Sequence, residues 1–532
     1  MRPLPNYGII YNWDGAPHGY SEAPQSMEAF LEKVYAPLRD TQVGALFWCV
    51  GEHTARWPSE RLELLGDVHG RRYENVQSYV FAENVRRMLE RGEDPQKALI
   101  ERGHALGLHV YASVRMNDNH FDGAHIRDLA SLHHTEMTRM RRDHPDWLLG
   151  DRTSEWFALS WNMAVPEVRE HRLAHIEEVC RRYDWDGVEL DWQRHAFHFP
   201  TDEGYRLRYL LTDLQRAVRG LTRKLSRERG RPFHLAARVA GSPEMCRRIG
   251  YDLPAWVEEG LVDCLIPAGG AATDPSLDVD HFVALCRPAG IAVYPGFDSG
   301  LPGPCSGPED PAVKADMRTR AIAGRYHQAG ADGVYVFNWH ANRDSRRGLL
   351  RQIGSADTLR RTDRIFAATH RFLQREGPWR GAYDQDRIWG EVPVALKRTL
   401  TGDGPTILLE LTPDLAAEPP ARITLRVRLD QWVRGDRVRV WWDGVEKDAP
   451  EIRYCTRDDP QRLSGVAAAA WLLWKLEPAE IAGGLHRLRV ALAERHPQVA
   501  ADVVLTDAEL VVTYAAENPD PTADGEKADA LP

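Results

Sequence analysis

No run of about 18 apolar residues occurs in the 532-residue chain, so no segment reads as a membrane-spanning helix. An excess of basic residues is missing too. Lys+Arg number 68 against 78 Asp+Glu, and the net charge of −10 offers no electrostatic footprint for a phosphate backbone, so nucleic acid is not expected as a partner. Cysteine is sparse: the seven residues, at 49, 180, 246, 264, 286, 305 and 455, never form a CxxC pair and read as reduced thiols. The opening MRPLPNYGIIYNWDG runs into a strand-like segment without the basic and apolar regions of a signal peptide. A cytoplasmic location is expected, unless a leader has been removed. Fixed-period repeats are absent as well.

What is present is a globular composition, 43% hydrophobic and 27% charged, in a chain too long for one core. Eight short apolar segments bounded by Gly, Pro or Asp read as buried strands: YGIIYN from 7, VGALFWCV from 43, LHVYASVRM from 108, DGVELDW from 186, FHLAARV from 233, VDCLIPA from 262, IAVYPGF from 291 and DGVYVFNW from 332. Helical patterns separate them, as in VPEVREHRLAHIEEVCRRY with Pro166 near its start. The alternation predicts an α/β fold, a closed (β/α)₈ TIM barrel over residues 1–355. Residues 356–390 read as a helical connector. Residues 391–515, with alternating segments such as ARITLRVRL, DRVRVWWDG, HRLRVALAE and ELVVTY, read as an all-β sandwich, and 516–532 as a disordered tail.

Side-chain parity puts polar groups inside the barrel. With Val110, Ala112, Val114 and Met116 facing the helices, Tyr111, Ser113, Arg115 and Asn117 point inward. With Val188, Leu190 and Trp192 outward, Glu189 and Asp191 point inward; the fifth strand adds His234 and Arg238, the seventh Tyr294 and Asp298. The words RMNDNH, DGVELDWQRH, YPGFD and NWH end predicted strands, where the active sites of this architecture lie. A carboxylate there can attack or stabilise an anomeric carbon while a second carboxyl protonates the leaving oxygen. Asp191 is the expected nucleophile or stabiliser, with Glu189 as its partner or substitute, and Asp298 as acid/base with Asp118 and Glu244 behind it. Pairing with Arg115 and Arg238 is the structural alternative for both strand-four carboxylates.

Asn12, Asp14, Trp48, Asn117, Asp118, His120, His195, Trp339 and His340, together with the two arginines, are expected to bind substrate. Indoles, Trp13 and Trp161 among them, would stack on sugar rings while Asn, Asp and His take the hydroxyls. The histidines at 120, 125, 133, 134, 195 and 198 lack an HExxH or comparable ligand set, so neither a metal nor any other cofactor is expected.

GHALGLHVYASVRMND, HPDWLL, PEVREHRLAHIEEV and YDWDGVELDW together resemble the bacterial glycosyl hydrolase family 10-like barrel proteins. The resemblance covers about residues 5–345 and implies a glycoside hydrolase barrel with an acidic site at the end of strand four. The strand-four acid motif of true family 10 xylanases is absent. The spacing Asp191-x-x-x-His195 is similar to the α-amylase nucleophile motif, with Glu189 where those enzymes carry Arg. The expected function is hydrolysis of O-glycosidic bonds in an oligo- or polysaccharide; the alternatives are a carbohydrate-binding barrel without turnover and a barrel lyase or isomerase using the histidines.

Overall fold

In the computed structural model, residues 3–514 are described apart from 14–18, 23, 52, 122–123, 154–156, 270–272, 276, 299–308, 340, 342–343, 371–390, 399–402 and 457–466. The chain divides into two compact units, one chiefly of Met1–Leu301 and Ala329–Ser355, the other of Pro302–Gln328, Ala356–Leu373 and Arg387–Pro532.

The first unit is the expected parallel barrel. Its strands are β1 (Ile9–Trp13), β2 (Val43–Gly51), β3 (His109–Arg115), β4 (Gly187–Asp191), β5 (His234–Ala240), β6 (Cys264–Ala268), β7 (Ala292–Val293), β8 (Gly296–Phe297) and β9 (Val334–Val336). They follow the order β7-β6-β5-β4-β3-β2-β1-β9-β8. Closure comes from one broken strand: Ala292 and Val293 pair with β6, and three residues later Gly296 and Phe297 pair with β9. Pro295 stands at the break, where a missing N–H limits ladder pairing. Eight sequence segments thus give a closed ring of eight positions, one of them split in two.

Local chemistry sets the helices between strands. Ser26, Asn75, Asp94 and Ser242 accept backbone N–H bonds at the starts of Met27–Tyr35, Val76–Glu90, Pro95–Ala105 and Pro243–Ile249. Pro166 opens Pro166–Arg182, where its lost N–H costs nothing. Gly187 starts β4 because a side chain there would strike the Tyr111 ring and the His234 carbonyl on the flanking strands. The lower interior is filled by Tyr7, Phe47, Tyr111, Ile266, Tyr294 and Tyr335.

The second unit contains two antiparallel sheets. Strands β10 (Arg364–Ala367), β11 (Val394–Leu396), β13 (Arg422–Asp430), β16 (Glu451–Thr456), β17 (Ala467–Lys475) and β19 (Val503–Thr513) form one, ordered β10-β19-β13-β17-β16 with β11 also on β19. Strands β12 (Thr406–Leu411), β14 (Arg437–Trp442), β15 (Val445–Glu446) and β18 (Gly484–Glu494) form the other. Two boundaries differ from expectation. Arg364–Ala367, inside the expected helical connector, pairs with β19, with Ile365 buried beside Met317 and Val511 and Phe366 in the sandwich core. The helix Pro311–Gln328, expected within the barrel, groups with the sandwich: its Lys314 lies 2.8 Å from buried Glu509, which also binds Arg426, and its Met317 packs on Ile365 and Val511. The expected disordered tail lies outside the described residues.

Candidate active site at the end of strand four

β4 delivers the two inward carboxyls that its parity predicts. Glu189 pairs in register with Ser113 and Ala236, and Asp191 with Arg115 and Arg238. Glu189 is wholly buried, and its Oε2 accepts the Asn12 Nδ2 amide at 3.0 Å; the same amide reaches the Ser113 hydroxyl at 3.1 Å. Burial first, and then the charge of Asp191, pushes the Glu189 carboxyl up to about 8, while Ser113, Arg238 and the Tyr335 hydroxyl pull the other way. Glu189 therefore keeps its proton near neutrality.

Asp191 is held differently. Arg238 Nη1 donates to both its oxygens, at 3.1 and 3.2 Å, and its Oδ1 also accepts the backbone N–H groups of Gln193 at 3.1 Å and Arg194 at 3.0 Å. Arg238 lies over the Phe337 ring at 4.1 Å, and the charges of Asp191 and Asp298 keep it protonated against its burial. The strand thus carries a neutral carboxylic acid and an ion-paired carboxylate on one inward face.

A second cluster stands where β3 ends and the turn after β4 begins. Arg115 Nη1 donates to Asp118 Oδ2 at 2.5 Å, and Asp118 Oδ1 meets the Nδ1 atoms of His120 and, at 3.0 Å, His195. Burial would raise the Asp118 carboxyl, but Arg115 and the two imidazoles hold it well below the usual carboxylate range. Burial draws His120 down to about 4 and His195 to about 3, so both rings are neutral near pH 7.

Several expected roles change. Arg115 lies beside Asp191 in register, but its guanidinium goes to Asp118, three residues along its own chain, which is the shorter reach. Asn117 donates to the carbonyls of Trp161 and Phe197 and accepts the Trp161 N–H, so its amide fastens two long segments to β3 and leaves no donor for a sugar. Trp48 and Trp339 are buried and not stacking platforms: Trp48 packs on Phe30 and Trp13, and Trp339 donates to the Arg346 carbonyl at 2.9 Å. Trp161 is buried under the Arg141 guanidinium, 4.4 Å above its ring. Trp13 alone of these four indoles is half-buried. Glu244 is exposed in the first turn of its helix, away from the interior. Asp298 is buried, with its backbone tied to Thr273 Oγ1 at 2.9 Å, and acts on Arg238 through its charge. Asp14 and His340 lie outside the described residues. Sequence reasoning passed over Tyr335, whose inward parity in DGVYVFNW is the signal that sets it in the buried interior, where its charge coupling to Glu189 arises, and Arg194, whose Nη2 donates to His120 Nε2 at 3.0 Å.

Among curated proteins, the glycosyl hydrolase DigH of Escherichia coli K12 is 28% identical over 177 residues, 32% of this chain and 35% of that protein. The glycosyl hydrolase YngK of Bacillus subtilis is 31% identical over 103 residues, 19% and 18% of the two chains. The chain spans about a third or less of the length of these relatives. Among solved structures, an α-amylase of Geobacillus thermoleovorans superposes with a TM-score of 0.40 at 10% identity, covering 92% of this chain and 99% of that one. Over residues 37–215, which hold β2, β3 and β4 with Glu189 and Asp191, the chain matches the family model described as Glycosyl hydrolase-like 10.

Proposed function

We propose that the barrel hydrolyses O-glycosidic bonds of an oligo- or polysaccharide, with Glu189 as the proton donor to the leaving oxygen and Asp191 as the ionised carboxylate toward the anomeric centre. One observation carries this reading: of two carboxyls on adjacent inward positions of β4, Glu189 is wholly buried and pushed up to about 8, while Asp191 is ion-paired with Arg238. Glycoside hydrolysis needs such a pair, since one group must give a proton while the other is charged. Glu189 takes the acid role first expected of Asp298, which in this reading supports Arg238. The family match and the names of the two curated relatives favour the same reaction class. Asn12 and Tyr335 set the Glu189 carboxyl, and half-buried Trp13 is the sugar platform at the end of β1.

The test is turnover of a panel of glycan fragments and aryl glycosides by the wild type, Glu189→Gln and Asp191→Asn. Asp191→Asn is expected to lose roughly a thousandfold in kcat. Glu189→Gln should lose activity on glycans yet keep much of it on aryl glycosides, whose leaving groups need no proton. Near-normal turnover by both variants on the same substrate overturns the assignment. A second reading, a carbohydrate-binding barrel without turnover, is favoured by the burial of both carboxyls, and glycan binding without cleavage across the panel would establish it.

A further inference from the structure

We propose that Asp118, His120 and His195 form a binding site for a divalent cation of the Zn²⁺ class at the barrel mouth, beside the β4 carboxyls and independent of their role. The three side chains offer one carboxylate oxygen and two imidazole nitrogens within 4.8 Å of one another. They come from two neighbouring strands: Asp118 and His120 follow β3, and His195 ends the turn after β4. Two imidazoles with one carboxylate is a donor set that suits Zn²⁺, Mn²⁺ or Co²⁺ better than the all-oxygen preference of Ca²⁺ or Mg²⁺. Three protein ligands leave coordination positions for water or a sugar hydroxyl.

The hydrogen bonding around the cluster supports an ion. Arg115 occupies Asp118 Oδ2, which turns Oδ1 toward the two Nδ1 atoms. The Asn119 backbone N–H points at His195 Nδ1 from 3.2 Å. A nitrogen that accepts this N–H has no proton to give Asp118, so two electron-rich atoms face each other across 3.0 Å. A cation shared between them removes that repulsion. Arg115 on Oδ2 then becomes the outer contact that fixes the carboxylate, as the partners of metal-binding residues do elsewhere, while the Asn119 N–H, which uses the Nδ1 lone pair that a metal needs, is displaced.

Two guanidiniums stand against a cation, and they define what must move. Arg115 Nη1 is balanced by Asp118 Oδ2 but also lies 3.3 Å from His120 Nδ1, so a metal on that nitrogen requires it drawn fully onto the carboxylate. Arg194 donates to His120 Nε2, which favours the tautomer with its proton on Nδ1; a metal on Nδ1 needs that proton on Nε2, so binding turns Arg194 away. Arg194 is half-buried and the His120 side chain is 40% exposed, so both the turn and the entry of an ion are open from that side.

The full-length chain, treated with chelator and desalted, is titrated with Zn²⁺ by calorimetry, with Co²⁺ absorption as a second readout. One equivalent should bind, with the visible bands of imidazole-ligated Co²⁺. His120→Gln and His195→Gln should each weaken binding by about a hundredfold or more. Arg194→Gln should bind as tightly as the wild type or more so. The stacked pair His69 and His133 supplies the control for adventitious surface binding, and His133→Gln should change nothing. Thermal melts without metal identify any variant that fails to fold, and half-exposed His120 provides the decisive variant if His195→Gln does. Absence of stoichiometric binding, or binding that survives His120→Gln, overturns the proposal; so does loss on His133→Gln or Arg194→Gln.

Discussion

Glu189→Gln should stabilise the protein at alkaline pH. A carboxyl with an ordinary value of 4.5 and a folded value of about 8 binds a proton in the folded chain, throughout that interval, that it has lost in the unfolded one. Stability falls with rising pH wherever the folded state holds the extra proton, so the contribution of Glu189 is intact below 4.5 and is lost progressively up to 8. At 1.36 kcal/mol per pH unit this interval corresponds to about 5 kcal/mol. Gln has the size of the neutral acid, can accept the Asn12 amide as Glu189 Oε2 does, and does not titrate. Urea unfolding of the wild type and the variant, followed by tryptophan fluorescence, should therefore give similar stabilities near pH 5, with the variant several kcal/mol more stable near pH 8. Parallel stability curves over that range would refute the reasoning, since they would mean that Glu189 titrates alike in the folded and unfolded chain.

The same group should shape the reaction: kcat/KM on glycan substrates is expected to fall about tenfold per pH unit above a midpoint near 8, a limb that should be missing from wild-type pH–rate profiles on aryl glycosides, whose leaving groups need no proton. Asp191→Asn leaves the buried Arg238 charge without its carboxylate and should cost about 3–5 kcal/mol, read as a lowered Tm; an unchanged Tm would show that the ion pair has no structural share. Asn117→Ala frees the Trp161 and Phe197 carbonyls from their donor and should cost about 1–3 kcal/mol; faster proteolysis within 119–165 than in the wild type is the check.

The barrel was legible because its strands are buried on both sides and separated by helices, so each appears as a short apolar run with turn residues at its ends. The split of the seventh position was not, since IAVYPGF reads as one strand until the positions of Pro295 and its neighbours are known. Grouping of Pro311–Gln328 with the sandwich was hidden for a similar reason: nothing in the spacing of Lys314 says that its ammonium meets Glu509, almost two hundred residues away in the chain. Trp48 lies within β2 and Trp339 shortly after β9, and position along the chain does not tell whether an indole faces the mouth or is covered.

At the candidate site, parity carried the argument as far as it can go. It put Glu189, Asp191 and Arg238 inside, because alternation along a strand is a backbone property. Which carboxyl meets which guanidinium is decided by reach and by competing donors: the turn after β4 offers Asp191 two backbone N–H groups in addition to Arg238, while Asp118 intercepts Arg115 before it can reach across to β4. The difference between the two carboxyls follows from that allocation. Asp191 gathers the cation and the backbone dipoles, and Glu189, one pleat deeper, is left with an amide and hydroxyls that can stabilise a neutral acid but not a second negative charge. Two acidic residues two positions apart on one strand thus meet different surroundings, through depth and through the partners each one reaches, and the roles proposed for them rest on that difference.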